Sequence, residues 1–178
     1  MLNTSLSSLS FMVALLSVGT TVLAASAPAT IAVSATVSTT CTITATPLAF
    51  GDYDPIGVNA TADKTGTGSV TVACAKGAAT VTIGMNYGTH VSGTTQRQMV
   101  GPTATDLLSY NLFQPSTTTA GAPCPGTIAW TTTAPGLLVL PAAPSKAART
   151  FNVCGTIPMG QDATAGAYTD TVIATLNF

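Results

Sequence analysis

Charge is what this chain has least of. Only 6% of its 178 residues are charged, glutamate is absent, and the formal net charge is -1. That balance offers no electrostatic footprint for nucleic acid or for an anionic membrane surface. The five cations, Lys64, Lys76, Arg97, Lys146 and Arg149, are scattered without interleaved aromatics, so no nucleic acid is expected as a partner. Histidine is nearly absent too. His90 stands alone in a turn beside Gly88, and without a Gly-x-Ser-x-Gly elbow it has no Ser-His-Asp arrangement to join. Asp52 and Asp54 flank Tyr53 just before Pro55, where aspartates act as turn formers more often than as an acid and base pair. The cysteines lack Cys-x-x-Cys spacing, and one histidine cannot complete a zinc set with them. Gly66-Thr67-Gly68 precedes a strand pattern rather than opening a helix, so no phosphate cradle is expected either. These absences leave no catalytic residue, no metal site and no cofactor site, and they argue against an enzyme.

What is present is Thr, Ser, Ala, Gly and Val, a composition of strands and turns. Residues 1–27 stand apart. An apolar stretch at 9–16 and 18–23, interrupted by Ser17, Gly19, Thr20 and Thr21, gives way to small residues, the pattern of a secretory signal peptide. Its n-region carries no Lys or Arg. Its shortness and small-residue end favour a cleaved leader over a membrane anchor. Cleavage after Ala24 is expected, with a site as late as Ala27 also fitting. The division expected is a leader at 1–24, an extension at 25–40 and one domain at 41–178.

The stretch that organises the rest is residues 30–44, TIAVSATVSTTCTIT. Ile31, Val33, Ala35, Val37, Thr39, Cys41 and Ile43 share one parity and polar residues fill the other, as in a strand with one buried face. Fifteen residues at about 3.3 Å each would reach roughly 50 Å, far beyond an ordinary strand. Two strands in series are expected, the part from Cys41 onward in the domain's own sheet and residues 31–37 projecting ahead of it.

Further along, strands are expected at 47–50, 69–75, 80–87, 96–100, 107–114, 149–157 and 167–178, with short edge pieces at 127–131 and 137–140 in a region broken by six prolines. Such spacing describes an all-β sandwich. Four cysteines behind a leader imply two disulfides in an oxidising compartment. Cys41 shares its parity with Ile43, and Cys74 with Val70 and Val72, so both point inward and are expected to pair. Cys154 lies opposite Phe151 and Val153, and Cys124 sits in the loop Ala122-Pro123-Cys124-Pro125-Gly126. They are expected to pair outside the sandwich.

The same residues carry a family resemblance. Phe50-Gly51-Asp52-Tyr53, Gly68-Ser69-Val70-Thr71-Val72-Ala73-Cys74, Leu107-Leu108-Ser109-Tyr110-Asn111-Leu112-Phe113, Gly155-Thr156-Ile157 with Gln161, and Gly166-Ala167-Tyr168-Thr169-Asp170-Thr171-Val172 ahead of a final Phe178 resemble, in order and spacing, the spore coat protein U domain. With its single-domain length and N-terminal extension, the chain is similar within that family to pilin subunits of archaic, Csu-type chaperone-usher pili. One departure is that its only tryptophan, Trp130, lies beyond a Pro-rich loop rather than soon after the Tyr-Asn-Leu strand.

The resemblance implies an incomplete immunoglobulin-like β-sandwich, completed by a donor strand from a neighbouring subunit. Ile31, Val33, Ala35 and Val37 would be that donor strand. It further implies neighbouring pilin subunits, a periplasmic chaperone and an outer-membrane usher as partners, and a cell-surface fimbrium serving attachment and biofilm formation. Two rival readings are a monomeric secreted binding module, with Trp130 and Tyr87 as sugar-stacking candidates, and a tip or minor adhesin subunit.

Overall fold

The computed structural model describes residues 23–178, so the expected leader falls almost wholly outside the described residues. Two compact units divide the chain, at Met1–Thr36 and Val37–Phe178. Residues 23–40 contain no strand or helix, and the first strand opens at Cys41.

Residues of strand parity fill two sheets. The larger has six strands in the order β1 (Cys41–Ala49), β2 (Lys64–Cys74), β8 (Arg149–Ile157), β6 (Leu107–Phe113), β5 (Gln96–Val100) and β4 (Val91–Ser92). The smaller has three, β7 (Leu138–Val139), β3 (Thr82–Met85) and β9 (Ala174–Asn177). All the pairings are antiparallel. The core lies between the sheets: Val70 and Val72 of β2, Leu108, Tyr110 and Leu112 of β6, and Phe151 and Val153 of β8 meet Ile83 and Met85 of β3 and Leu138 of β7. Burying each large apolar side chain contributes about 1.5–3 kcal/mol, which drives the two sheets together. The result is an immunoglobulin-like all-β sandwich.

Several expected boundaries shift, each for a physical reason. β2 starts at Lys64 rather than near Ser69. Residues 64–68 show no apolar alternation because Gly66 and Gly68 leave room for side chains of another strand, and a Cβ at Gly66 would lie within 3.1 Å of both Leu48 and Phe50. The expected edge piece at 127–131 is reduced to a single bridge between Phe113 and Ala129. The expected strand at 167–178 is laddered only over Ala174–Asn177.

Both disulfides form, Cys41 to Cys74 across β1 and β2, and Cys124 to Cys154. Cys154 points away from the core face yet is buried, because residues 121–124 lie against β8 there, with Cys124 bonded to Cys154 and Ala122 O accepting from Asn152 Nδ2. Their backbone joins β8 where Gly121 N donates to Thr150 O. The second bridge thus pins a long loop onto β8.

Candidate functional site

Two strands in this sandwich have a free edge facing each other. Among the described residues β1 pairs only with β2, β9 pairs only with β3, and no ladder joins β1 to β9. Between them lies a cleft of about 440 Å³. Ala45, Thr46, Pro47 and Leu48 make one wall, and Tyr168 to Val172 with Ala174 make the other. Val70, Tyr110, Leu112 and Val153, inward-facing residues of the large sheet, line it together with Met85 and Met99.

The β1 wall is shaped by a bulge. Thr46 is opposite Ser69 and Ala49 is opposite Thr67, so β1 spends one more residue than β2 over that interval. An extra residue reverses the alternation of everything beyond it. Ile43 before the bulge and Leu48 and Phe50 after it therefore all pack against the core. Leu48 and Phe50 rest on Gly155 of β8, where a Cβ would fall 2.8 Å from Leu48 Cδ1 and 2.7 Å from Phe50 Cζ.

The opposite wall is a crossing. Thr169 exchanges two backbone hydrogen bonds of 2.9 Å with Val100 of β5, in the large sheet. Four residues on, Asn86 N donates to Ile173 O, and the chain continues as β9 against β3 of the small sheet. Thr169 and Ile173 turn their backbone groups toward those partners. Asp170 and Val172, on the alternate positions, line the cleft, and their backbone groups meet no backbone partner among the described residues.

Beneath this crossing lies a polar cluster. The Asp170 carboxylate, with its side chain 2% exposed, accepts from Tyr110 Oη at 2.6 Å, Thr89 Oγ1 at 2.6 Å, Thr89 N at 2.9 Å and Thr171 N at 2.8 Å. His90 Nδ1 stands 3.4 Å away. Burial alone would raise the carboxyl pKa, but the hydrogen bonds from Thr89, Tyr110 and Thr171 outweigh it and hold the group below the ordinary aspartate value. Burial, then the bond to Asp170 and its charge, raise the Tyr110 phenol. Arg97, the cross-strand partner of Tyr110, is buried and donates to the carbonyls of Met85, Asn86 and Trp130. Desolvation lowers its pKa, against the favourable charge of Asp170.

The candidate donor residues precede β1 in the chain. Ile31, Val33 and Val37 are 86%, 90% and 87% exposed, Ala35 is exposed beside them, and none lies in a strand. Apolar side chains exposed along one parity are the pattern of a strand face that a partner can cover. Of the two stacking candidates, Trp130 fails on geometry, being fully buried with its indole N–H on Ile83 O. The half-buried Tyr87 ring has the Arg97 guanidinium over one face, 5.1 Å from its centroid. Asp54 acts as a turn former, its Oδ1 accepting from Ile56 N and Gly57 N. Sequence reasoning missed the Asp170 cluster; the one available signal was an acidic residue placed in an inward register between Tyr168 and Val172.

Comparisons place these features. Over 142 residues, 74% of this chain and 71% of the other, the sequence is 36% identical to Protein U of Myxococcus xanthus. The fold matches a chain of the CsuC-CsuE chaperone-tip adhesion subunit pre-assembly complex from archaic chaperone-usher Csu pili of Acinetobacter baumannii, with a TM-score of 0.55 and 20% identity. That match covers 80% of this chain and 41% of the other, so this chain spans less than half of that neighbour. The family model of the Spore Coat Protein U domain matches residues 27–175, and with an open-edged sandwich over most of that span, the chain belongs to this structural, non-enzymatic family.

Proposed function

We propose that this chain is a structural subunit of a chaperone-usher type pilus, exported through the periplasm and polymerised by donor-strand exchange. In this reading residues 1–24 are the leader, 25–40 the donor extension and 41–178 the acceptor domain. Ile31, Val33, Ala35 and Val37 of one copy enter the cleft of the next, filling it from the apolar parity while the backbone pairs with the free edges. Before assembly a periplasmic chaperone lends the strand, and an outer-membrane usher passes the subunit on to a surface fimbrium that serves attachment and biofilm growth.

One observation carries the reading: an apolar cleft between two unpaired strand edges, in a chain that also carries an exposed apolar segment with the alternation of a strand. Open edges of this kind are liabilities unless something pairs with them, and strand addition supplies both ladder bonds and side-chain fit. Burying Ile31, Val33 and Val37 would contribute about 1.5–3 kcal/mol each, with ladder hydrogen bonds adding to it. The contact is head-to-tail and does not close on itself, so it grows a filament.

The test is a mature chain lacking residues 25–39, melted with and without a peptide of residues 30–40. The expected result is marginal stability alone and a clear rise in Tm with peptide, since a ligand that binds only the folded state stabilises it. Cooperative melting at one temperature in both samples would mean that the sandwich is complete by itself.

A further inference from the structure

The crossing at residues 169–173 needs something to hold it. A strand that leaves one sheet for another loses its ladder between the two, and here Asp170, Thr171 and Val172 have no ladder partner among the described residues. A segment with so few backbone bonds belongs to the part of a fold that opens first. Yet this segment is the wall to which an incoming strand would bind, and a wall that must be ordered on binding costs affinity.

Asp170 supplies the missing restraint. Its carboxylate bridges Tyr110 of β6, in the large sheet, and Thr89, in the turn that follows β3 of the small sheet. A buried acid without partners would be costly; this one has four donors within 2.9 Å. The turn is cut to admit it: Gly88 has φ +85°, and a Cβ there would run into the carboxylate. Asn86 completes the hold from the same turn, its Oδ1 accepting from Ile173 N at 2.8 Å and from Gly88 N at 3.1 Å.

We propose that Asp170 is a positioning residue that pins the sheet-crossing segment in the empty subunit, keeping the free backbone edge at Asp170 and Val172 ready for the incoming strand. This rests on the strand-exchange reading given above. The role is specific. Asp170 touches no incoming residue through its own carboxylate, which is spent on Tyr110, Thr89 and Thr171, and it acts through the wall it holds.

The experiment uses the full mature chain, held dilute enough to stay monomeric, in wild-type, Asp170→Asn, Tyr110→Phe and double-variant forms. Thr89→Val serves as a milder variant should Asp170→Asn fold poorly. Hydrogen exchange is read at residues 168–173 and at β2 and β8, and binding of a labelled peptide of residues 30–40 is measured alongside. In Asp170→Asn, amides at 168–173 are expected to exchange about tenfold faster or more, with β2 and β8 unchanged. Peptide binding is expected to weaken about tenfold or more, the scale of a lost hydrogen bond to a charged group. The double variant is expected to be no worse than Asp170→Asn, since the two side chains act as one unit. Unchanged exchange at 168–173, or acceleration spread equally over β2 and β8, overturns the proposal. So does wild-type peptide affinity in Asp170→Asn and Thr89→Val. A wild-type chain that binds no peptide refutes the strand-exchange reading instead, and the exchange arm still decides whether Asp170 pins the crossing.

Discussion

β2 and β9 each carry apolar residues that pack against the core, and they meet opposite fates. β2 is flanked on both sides, by β1 and by β8, and its register with β8 runs unbroken from Lys64 opposite Ile157 to Val72 opposite Arg149. β9 has β3 on one side and the cleft on the other. Val70 and Val72 of β2 are buried, whereas Leu176 of β9 and Val172 in the segment leading into it are only half-buried although both pack against the core. The chain therefore finishes one half of its sandwich by itself and leaves the other half with its apolar residues partly wet. Alternation in the sequence reports which side chains want cover; it does not report whose backbone will provide it.

The largest effect should come from the finished half. Phe151 is fully buried, and Phe151→Ala should cost about 3–5 kcal/mol. Val172→Ala, at the half-buried wall, should cost the isolated subunit about 1 kcal/mol or less, since little transfer energy is at stake there. Chemical denaturation of the two variants checks this. Equal losses would mean that the cleft is already filled in solution.

Next in size is the donor side. Val33→Asp leaves the isolated domain unchanged, because Val33 is exposed there, but it places a charge in an apolar cleft during assembly, a penalty of several kcal/mol or a forced protonation. A one-residue slip cannot rescue it, since every other apolar side chain would then face out. Polymer ladders on non-reducing gels and fimbriae in electron micrographs should vanish for this variant while its monomer melts like wild type.

Much of the finished half was legible in the sequence, and the reason is period. Strands with a partner on each side and one buried face, such as 149–157 and 107–113, show alternation that survives into the structure with hardly a shifted boundary. The open half was less legible, because its geometry depends on departures from period. The bulge at 46–49 exchanges the parity of β1, and its only trace is that Leu48 and Phe50 are even-numbered where Ile43 is odd. The start of β2 was hidden because Gly66 and Gly68 carry no side chain and Leu48 and Phe50 lie in the space instead. The crossing of the final segment was hidden because both of its halves alternate alike, and only the partners, Val100 and then Met85, differ. Trp130 misled in the binding-module reading for a simpler reason: a lone tryptophan in a Pro-rich loop looks exposed, and here the loop folds it under β3.

Acid should separate the two halves more gently. The Asp170 carboxyl is held below its ordinary value, so its contribution is fully present above the unfolded aspartate range near 4 and is lost as pH falls through the lower, folded value. Arg97, Tyr110, Tyr87 and His90 are the titratable groups around it, and His90→Gln serves as the control for the one beside the carboxylate. Peptide affinity of the wild-type chain should fall with pH below that range, and the fall should persist in His90→Gln and be absent from Asp170→Asn. A decline that disappears in His90→Gln would place the titration on the wrong group.

The smallest effect expected is the one that tests direction. Ser34 sits one residue from Val33 on the polar parity of the donor segment, so its side chain would point out of a filled cleft while its backbone still pairs. Ser34→Asp therefore adds a charge that stays in water, and its effect on assembly should lie within about 0.5 kcal/mol. The contrast with Val33→Asp has force because the two variants add the same charged group to adjacent positions, so net charge and chain length are identical. What differs is the face, and with it whether an apolar or a polar side chain is replaced. If residues 31–37 bound as a loose apolar tether rather than as a strand, either aspartate would be able to swing out to solvent, and both variants would assemble alike. Assembly that persists for Ser34→Asp and collapses for Val33→Asp requires alternation, and with it a strand pairing at the open edges of β1 and the final segment.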